Sequence, residues 1–300
     1  MLLTMNPKKI ILNTDIGGDF DDFLALAMCL SSPEIDLLGV VTTKEDIREK
    51  AVLARVLVDL AGRKDLPIFY NGCLKKKGGS YMQTHEYAEV LRSETIREGH
   101  TNPEISSEGI EFIRHQVREN PHQVTFVSIA PNTNLASAIT ENGIADKIKD
   151  IYLMGGHHEH TQINRNKPEH NYLRDRSSFY KVLECGAPTH MLPRDVTLDL
   201  FMNPSILKER AKKDRFHQIL WMMGEKFLER MERESFRLSD AITLTAVLAP
   251  QLFYEQKVKI ERIRGTQGES FYCIPESNSN ITAVYDFDRE KVHDLIISRV

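Results

Sequence analysis

Ile10-Ile-Leu-Asn-Thr-Asp-Ile-Gly-Gly-Asp-Phe-Asp-Asp22 stands near the start of this 300-residue chain. Its apolar beginning, residues 10–12, predicts a short buried strand. The strand is broken at Gly17 and Gly18, and apolar residues at helical spacing begin at Phe23. Four carboxylates lie within eight residues at this junction: Asp15, Asp19, Asp21 and Asp22. The stretch therefore predicts a strand, a turn and a helix with an acidic site between them.

Four carboxylates so close together repel one another unless a cation lies among them. Hard oxygen ligands favour Ca²⁺ or Mg²⁺ over Zn²⁺, so the stretch predicts a site for one of these ions. A simpler interpretation is that Asp21 and Asp22 cap the following helix and complement its dipole. Capping explains one or two acids but not four.

The composition describes an ordinary globular protein, with 41% hydrophobic and 27% charged residues. A net charge of −4 gives no reason to expect a nucleic-acid or membrane partner. The cysteines are widely separated, which favours reduced thiols and argues against a structural zinc site. They are Cys29, Cys73, Cys185 and Cys273. No segment has the length of a signal peptide or a membrane span, so we expect a soluble, cytoplasmic protein.

Apolar segments alternate with amphipathic ones along the chain. The predicted strands are 8–15, 35–43, 66–70, 124–129, 150–154, 189–192, 258–263 and 281–285. The predicted helices are 21–31, 45–61, 107–120, 132–139, 176–184, most of 204–250, and 289–298. This alternation predicts an α/β fold with a mostly parallel open sheet flanked by helices. No linker or break in composition appears, so we expect residues 1–300 to form a single domain.

Ligands of an open parallel sheet bind in the crevice beyond the carboxyl ends of its strands. The acidic stretch and residues 44–46, 130–134 and 155–160 all follow predicted strands and could line one crevice. An EF-hand is excluded because its twelfth position, counted from Asp15, is Leu26. A Gly-x-Gly-x-x-Gly dinucleotide fingerprint is absent. A phosphoaspartyl enzyme is disfavoured because its nucleophile would have to be Asn13.

The acidic stretch resembles the N-terminal signature of the inosine-uridine-preferring nucleoside hydrolases, in the longer form that carries an extra acid such as Asp19. Further matching blocks follow in the family's order over nearly the whole chain. They are residues 39–43 (Gly-Val-Val-Thr-Thr), 130–135 (Ala-Pro-Asn-Thr-Asn-Leu), 153–156 (Leu-Met-Gly-Gly), 169–171 (Glu-His-Asn) followed by Asp175, and Ser239-Asp240. A single block would be a weak signal, whereas the ordered set is specific.

The resemblance implies a nucleoside hydrolase-like fold and a Ca²⁺-dependent hydrolase that releases ribose and free base from a nucleoside or related riboside. It implies that the ion is held by Asp15, Asp22, Asp240 and the backbone carbonyl of Ile129. Asp15 would also be the general base for the attacking water. The transition state would have oxocarbenium character. Relatives take part in nucleoside salvage and are commonly homodimers or homotetramers, so an oligomer is expected on resemblance alone.

The resemblance also implies a set of substrate contacts. Asp21, Glu169 and Asn171 match residues that bind the ribose hydroxyls, and Asp46 falls near an asparagine that contacts the sugar. Asn164 or Asn166 would reach the 5′-hydroxyl, and His170 stands where an aromatic residue often stacks on the base. Each has a simpler interpretation: Asp240 as a helix N-cap, Glu169 and Asn171 as ordinary polar loop residues. His157, His158 and His160 form a cluster that could supply a leaving-group acid or a metal ligand.

Three departures from the family pattern leave base recognition open, and one of them, at Asn13, bears on calcium affinity. Ser239 replaces a histidine that protonates the departing base in many relatives, Asn13 replaces the leading Asp, and residues 75–100 lack the usual His-Gly pattern. Two alternatives therefore stay open. One is a riboside-binding relative without turnover, and the other is a hydrolase of another ribosyl substrate, suggested by the basic run at residues 75–77.

Overall fold

A nine-stranded sheet forms the centre of the computed structural model, which describes residues 6–73, 84–87, 90, 105–158, 168–265 and 268–300. Its strands are β1 Lys8–Thr14, β2 Ile35–Lys44, β3 Ile68–Cys73, β4 Val124–Ser128, β5 Asp150–Met154, β6 Thr189–Leu192, β9 Phe253–Gly265, β10 Gly268–Pro275 and β11 Ile281–Phe287. Their order in the sheet is β10-β9-β11-β6-β5-β4-β1-β2-β3. Each neighbouring pair from β3 to β11 is parallel, while β9 pairs antiparallel with β11 and with β10. A small antiparallel pair, β7 (Phe201–Met202) and β8 (Phe236–Arg237), lies apart from this sheet.

Helices follow most of the parallel strands, as crossover connections require. They are α1 Asp21–Ser31, α2 Ile47–Leu60, α3 Gly109–Glu119, α4 Thr133–Ala138, α5 His170–Arg174, α6 Arg176–Leu183, α7 Arg194–Thr197, α8 Pro204–Arg210, α9 Arg215–Met231, α10 Ser239–Leu248 and α11 Arg289–Arg299. Residues 84–87 are also helical. Among the described helices, none has the length and apolar character needed to cross a membrane.

Apolar side chains cover both faces of the sheet because successive residues of a strand point to opposite sides. Ile10 and Leu12 belong to one buried cluster, and Ile11 between them belongs to the other. The first cluster includes residues of α1, α2, α9, α10 and α11. The second includes residues of α3, α4 and α6. A sheet that is covered on both faces explains why the strand segments are almost continuously apolar.

The predicted fold class, a mostly parallel sheet flanked by helices, is confirmed. Several details differ from the sequence prediction. The segment 204–250 contains three helices, α8, α9 and α10, with the short strand β8 between α9 and α10. The short elements α5, α7 and β7 were not predicted. Strand β10 was not predicted; it pairs only with β9 among the described strands and so lies at an edge of the sheet. The single-domain organisation stays a prediction.

His190 lies near the start of β6, at the edge of the sheet opposite the predicted crevice. Its Nδ1 is 3.1 Å from Glu255 Oε2 and 3.0 Å from Thr282 Oγ1, and its Nε2 is 3.8 Å from Asp150 Oδ1. Its ring stacks on Tyr152 with the ring centroids 4.4 Å apart. Burial alone would lower the pKa of His190, but the carboxylates of Asp150 and Glu255 outweigh burial and raise the pKa from 6.5 to about 9.

We expect His190 to make stability depend on pH. Because its folded pKa is raised, the protonated form stabilises the fold fully below pH 6.5 and loses this contribution as pH rises through about 9. The difference in free energy of unfolding between wild type and His190→Gln should therefore shrink by roughly 2 to 3 kcal/mol over that interval. Urea denaturation at a series of pH values measures it, with His293→Gln as the control. A difference that does not change with pH would contradict the assignment.

Candidate active site

Asp15 follows the last residue of β1 and lies at the carboxyl edge of the sheet. The carboxylate is buried and forms an ion pair with the Lys44 ammonium, which comes from the end of the neighbouring strand β2. Lys50, in the first turns of α2, donates hydrogen bonds to the main-chain carbonyls of Asp15 (2.7 Å) and Ile16 (3.0 Å). The side chain and the backbone of Asp15 are thus each held by a different lysine.

Asp21, Asp22 and Asp240 form a buried acid group in which one carboxylate oxygen from each lies within 4.8 Å of the others. Asp21 and Asp22 begin α1, and Asp240 is the second residue of α10, which packs against α1. Two helix N-termini therefore present their positive dipole ends to the same acids. The N-cap residues Phe20 and Leu238 make no side-chain cap hydrogen bond, and Asp22 Oδ1 instead accepts one from Thr14 Oγ1 at 2.5 Å. Asp21, Asp22 and Asp240 lie inside their helices, so none of these acids occupies the N-cap position.

The acid group is electrostatically unfavourable on its own. Burial, followed by the repulsion of neighbouring carboxylates, raises the pKa of Asp22 and of Asp240 well above its usual value and raises that of Asp21 to about 8. Asp15 behaves differently. Burial alone would raise its pKa, but Lys44 and Lys50 outweigh burial and lower it.

The charges of these side chains fit a divalent cation. Four carboxylates, those of the acid group and Asp15, face two ammonium groups, those of Lys44 and Lys50, which leaves two negative charges. Asp19 and Arg237 act on the pKa of Asp21 in opposite directions. Carboxylate oxygens are ligands for Ca²⁺ and Mg²⁺, and an ion of that charge would relieve the repulsion that raises these pKa values.

Asn13 and Asn134 together link strands β1, β4 and β2 beneath the site. Its Nδ2 donates to Ser128 Oγ at 2.9 Å and to the Pro131 carbonyl at 3.2 Å, and its Oδ1 accepts from Asn134 Nδ2 at 2.9 Å. Asn134 Nδ2 also donates to the Thr42 carbonyl of β2. An ionised Asp cannot donate to a carbonyl oxygen, so these contacts require the amide that this chain carries at position 13.

Glycine is required in two turns that border the site. Gly17 has φ +96°, and a Cβ there would lie 2.7 Å from Leu53 Cδ1. Gly156 has φ +81°, and a Cβ there would collide with the Phe271 ring. Both turns therefore need a residue without a side chain, for conformation as well as for space.

Glu169 and Asn171 lie beyond the carboxyl ends of β4 and β5. Glu169 caps α5 by accepting hydrogen bonds from the main-chain N–H groups of Asn171 (2.7 Å) and Tyr172 (2.9 Å), and it also accepts from the Gly156 N–H at 3.4 Å. Asn171 Nδ2 donates to the carbonyls of Ile129 (3.2 Å) and Met154 (3.3 Å). The predicted metal ligand Ile129 O therefore carries a hydrogen bond from a predicted ribose contact.

His170 and Asp46 border the same crevice. Burial, and then the nearby charge of Lys44, lowers the pKa of His170 to about 4, so its ring is neutral at pH 7. Asp46 precedes α2 with φ +52° and makes no side-chain cap hydrogen bond. The predicted contacts Asn164 and Asn166 lie outside the described residues, as do His160 and the lysines at 75–77. The roles of all these residues in substrate binding stay predictions.

His157 and His158 are buried on the side of the crevice formed by β10 and β11. The His157 carbonyl accepts from the Cys273 N–H at 3.3 Å, and the His158 N–H donates to Asp195 Oδ1 at 3.0 Å. In the part of the chain that the structure describes, neither ring belongs to the group of possible metal ligands. Ser239, in the predicted leaving-group position, is buried with its hydroxyl donating to the Thr197 carbonyl at 3.4 Å.

Sequence reasoning did not single out the two lysines, although their signal was present. Lys44 is a cationic residue directly after an apolar strand, where a buried charge needs a partner, and Lys50 lies six residues later on the next helix. The departure of Asn13 was noted, but not its contacts. None of these interactions is encoded by local spacing.

A mostly parallel sheet with buried carboxylates at its carboxyl edge defines an α/β enzyme whose site lies beyond the strand ends. Residues 10–294 match the model of the family described as inosine-uridine preferring nucleoside hydrolase. The chain therefore belongs to that family, which confirms the resemblance drawn from its motifs. It is an enzyme of the N-ribohydrolase class.

Similar proteins span nearly the whole chain. A pyrimidine-specific ribonucleoside hydrolase of Citrobacter koseri is 27% identical over 308 residues, with 95% of this chain and 96% of the relative covered. Uridine nucleosidase 1 of Arabidopsis thaliana is 26% identical, with 87% and 79% covered. An uncharacterized Schizosaccharomyces pombe protein is 25% identical, with 97% and 98% covered.

Solved structures agree on the fold. A plant nucleoside hydrolase superposes with a TM-score of 0.77 at 21% identity, covering 98% of each chain. A purine-preferring ribonucleoside hydrolase from Gardnerella vaginalis superposes with a TM-score of 0.77 at 20% identity, covering 97% of this chain and 98% of its own. At these identities the superpositions establish the fold alone.

Proposed function

We propose that this chain is a calcium-dependent hydrolase that cleaves the N-glycosidic bond of a ribonucleoside or a related N-riboside to give ribose and free base. The observation that carries the proposal is the buried group of Asp21, Asp22 and Asp240, with Asp15 beside it, at the carboxyl edge of a nucleoside hydrolase fold. Similar proteins named for pyrimidine and for purine substrates both occur, so the proposal names the riboside and leaves the base open.

The residues that would hold the ion are Asp15, Asp22, Asp240 and the carbonyl of Ile129, all hard oxygen donors suited to calcium. Asp21 contributes to the negative charge of the same group and is proposed as a ribose contact. When bound, calcium supplies positive charge that lowers the pKa of a water molecule and orients a ribose hydroxyl.

Asp15 is the proposed general base. Because Lys44 and Lys50 lower its pKa, its carboxylate is ionised at neutral pH and able to accept a proton from the attacking water. The ion pair with Lys44 also restricts its orientation. A base that is held in place before the substrate arrives does not have to be ordered during the reaction.

The other acids would favour the cationic transition state. As the glycosidic bond breaks, positive charge develops on the ribose ring, and the negative potential of the surrounding carboxylates stabilises it. Glu169 and Asn171 are proposed to bind ribose hydroxyls, although both already support main-chain groups of the loop. His170, neutral at pH 7, is proposed to contact the base.

A second candidate function is riboside binding without turnover. It is favoured by Ser239, whose hydroxyl donates to a main-chain carbonyl and is a poor acid at neutral pH. A departing base that needs protonation would find no acid in Ser239. Measuring riboside binding and ribose release on the same protein distinguishes this function from the proposed hydrolase.

We expect purified protein to release ribose from at least one member of a panel of purine, pyrimidine and nicotinamide ribosides when calcium is present. A reducing-sugar assay measures the release, and isothermal calorimetry with the same ribosides measures binding. Chelation should abolish release, and added calcium should restore it. Binding with no release from any riboside would favour the second function, and neither binding nor release would refute the proposed function.

A further inference from the structure

Lys44 occupies an unusual backbone position at the end of β2. It has φ +80°, Asp46 two residues later has φ +52°, and the pairing of β2 with β3 shifts register between Thr42 and Lys44. The left-handed region is sparsely populated by residues other than glycine, because a side chain there is sterically strained. Such strain is found where surrounding contacts, often functional ones, hold the backbone in place.

The contact that this backbone permits is the ion pair of Lys44 Nζ with Asp15 Oδ2. Both side chains are almost buried, with 10% and 9% of their surface exposed. A buried ion pair is expensive to form, because both charges lose water, and an apolar pair of similar volume often stabilises a fold as well or better. Stability alone is therefore a poor explanation for a buried lysine on a strained turn.

Lys50 makes a useful contrast. Its ammonium donates to the main-chain carbonyls of Asp15 and Ile16, so it stabilises the backbone of the turn. Lys44 instead contacts the carboxylate itself, the group proposed to accept a proton and to hold the ion. The positive charge of Lys44 and that of a bound cation would then share one carboxylate and repel each other.

We propose that Lys44 is a positioning residue that holds one oxygen of the Asp15 carboxylate, and that it does so at the expense of cation affinity. The part of this inference that concerns turnover rests on the proposed riboside hydrolase function. The part that concerns cation affinity does not. When the ammonium is removed, calcium affinity should rise while kcat falls. A merely structural role does not predict this combination.

Lys44→Met tests the proposal because Met keeps an unbranched side chain without the charge. We expect calcium to bind about tenfold more tightly, measured by isothermal calorimetry, since a repelling charge is removed. We expect kcat for the best riboside to fall about 100-fold with little change in KM, since the base is no longer oriented. Lys44→Arg, which keeps the charge, should restore wild-type calcium affinity and part of kcat.

Lys9→Met is the matched control, because Lys9 also pairs with an aspartate, Asp36, but on the surface and away from the site. It should leave both calcium affinity and kcat unchanged. Circular dichroism establishes that each variant is folded, and Lys44→Gln replaces Lys44→Met if the latter is not. A calcium affinity that falls, or a kcat that does not change, would overturn the proposal. If wild type binds calcium but cleaves no riboside, the proposed function fails and the affinity comparison still decides whether Lys44 opposes the cation.

Discussion

Asp15→Asn should lower kcat by roughly 10³-fold or more, because an amide cannot accept the proton of the attacking water. The substitution keeps the size of the side chain, so the turn and the sheet edge should be preserved. It also removes the partner of the Lys44 ammonium, which is buried with it. Steady-state ribose release at saturating calcium measures the loss, and saturating calcium should not restore activity.

Asp36→Asn is the matched control for this prediction. It is the same carboxyl-to-amide change at the other end of the neighbouring strand, in a surface pair with Lys9. Its kcat should equal that of wild type. An Asp15→Asn enzyme with near-normal turnover would show that another group is the base.

Asp240→Asn should weaken calcium binding by about 100-fold, since it removes one of the few carboxylates of a hard-cation site. Activity should be low at micromolar calcium and recover as calcium is raised, in contrast to Asp15→Asn. Isothermal calorimetry and the calcium dependence of ribose release measure the two effects.

In the metal-free protein, Asp240→Asn should increase the stability of the fold. Burial and the neighbouring carboxylates raise the pKa of Asp240 well above its usual value, so its ionised form destabilises the fold at neutral pH. Asp240→Asn should therefore raise the melting temperature in chelator and reduce the additional stability gained from calcium. Asp19→Asn is the control, because Asp19 lies in the same acidic stretch but is exposed, and its carboxylate accepts a hydrogen bond from the main-chain N–H of its neighbour Phe20. Equal calcium affinity in Asp240→Asn and Asp19→Asn would contradict a ligand role for Asp240.

The strands and helices near the acidic stretch could be predicted closely from local pattern. Strand β1, helix α1 and strand β2 lie within a residue or so of the predicted segments, because an apolar run, a glycine turn and helical spacing are all local signals. The edge strand β10 was missed, since Gly268–Pro275 belongs to the sheet only through its pairing with β9. The composition of a segment does not specify which strand it pairs with.

The site could be predicted in part. The four acids of the opening stretch indicated a cation from their spacing, and the ordered family motifs added the distant Asp240. The acid group in the structure includes Asp21, which the motifs assigned to the sugar, alongside Asp22 and Asp240. Glu169 and Asn171 were predicted as substrate contacts, and the structure adds that both are engaged with main-chain groups.

By itself the sequence determined that residues 10–22 form a strand, a turn and a helix with four acids at the junction, and that this junction lies at the carboxyl edge of a mostly parallel sheet. Only the tertiary structure decided how the acids are divided. Asp15 is paired with Lys44, while Asp21 and Asp22 meet Asp240 from more than 200 residues away. The reason is physical: spacing along the chain specifies which way a side chain points, whereas burial and the approach of distant charges, which determine ionisation, arise only when the sheet and the helices α1, α2 and α10 pack together.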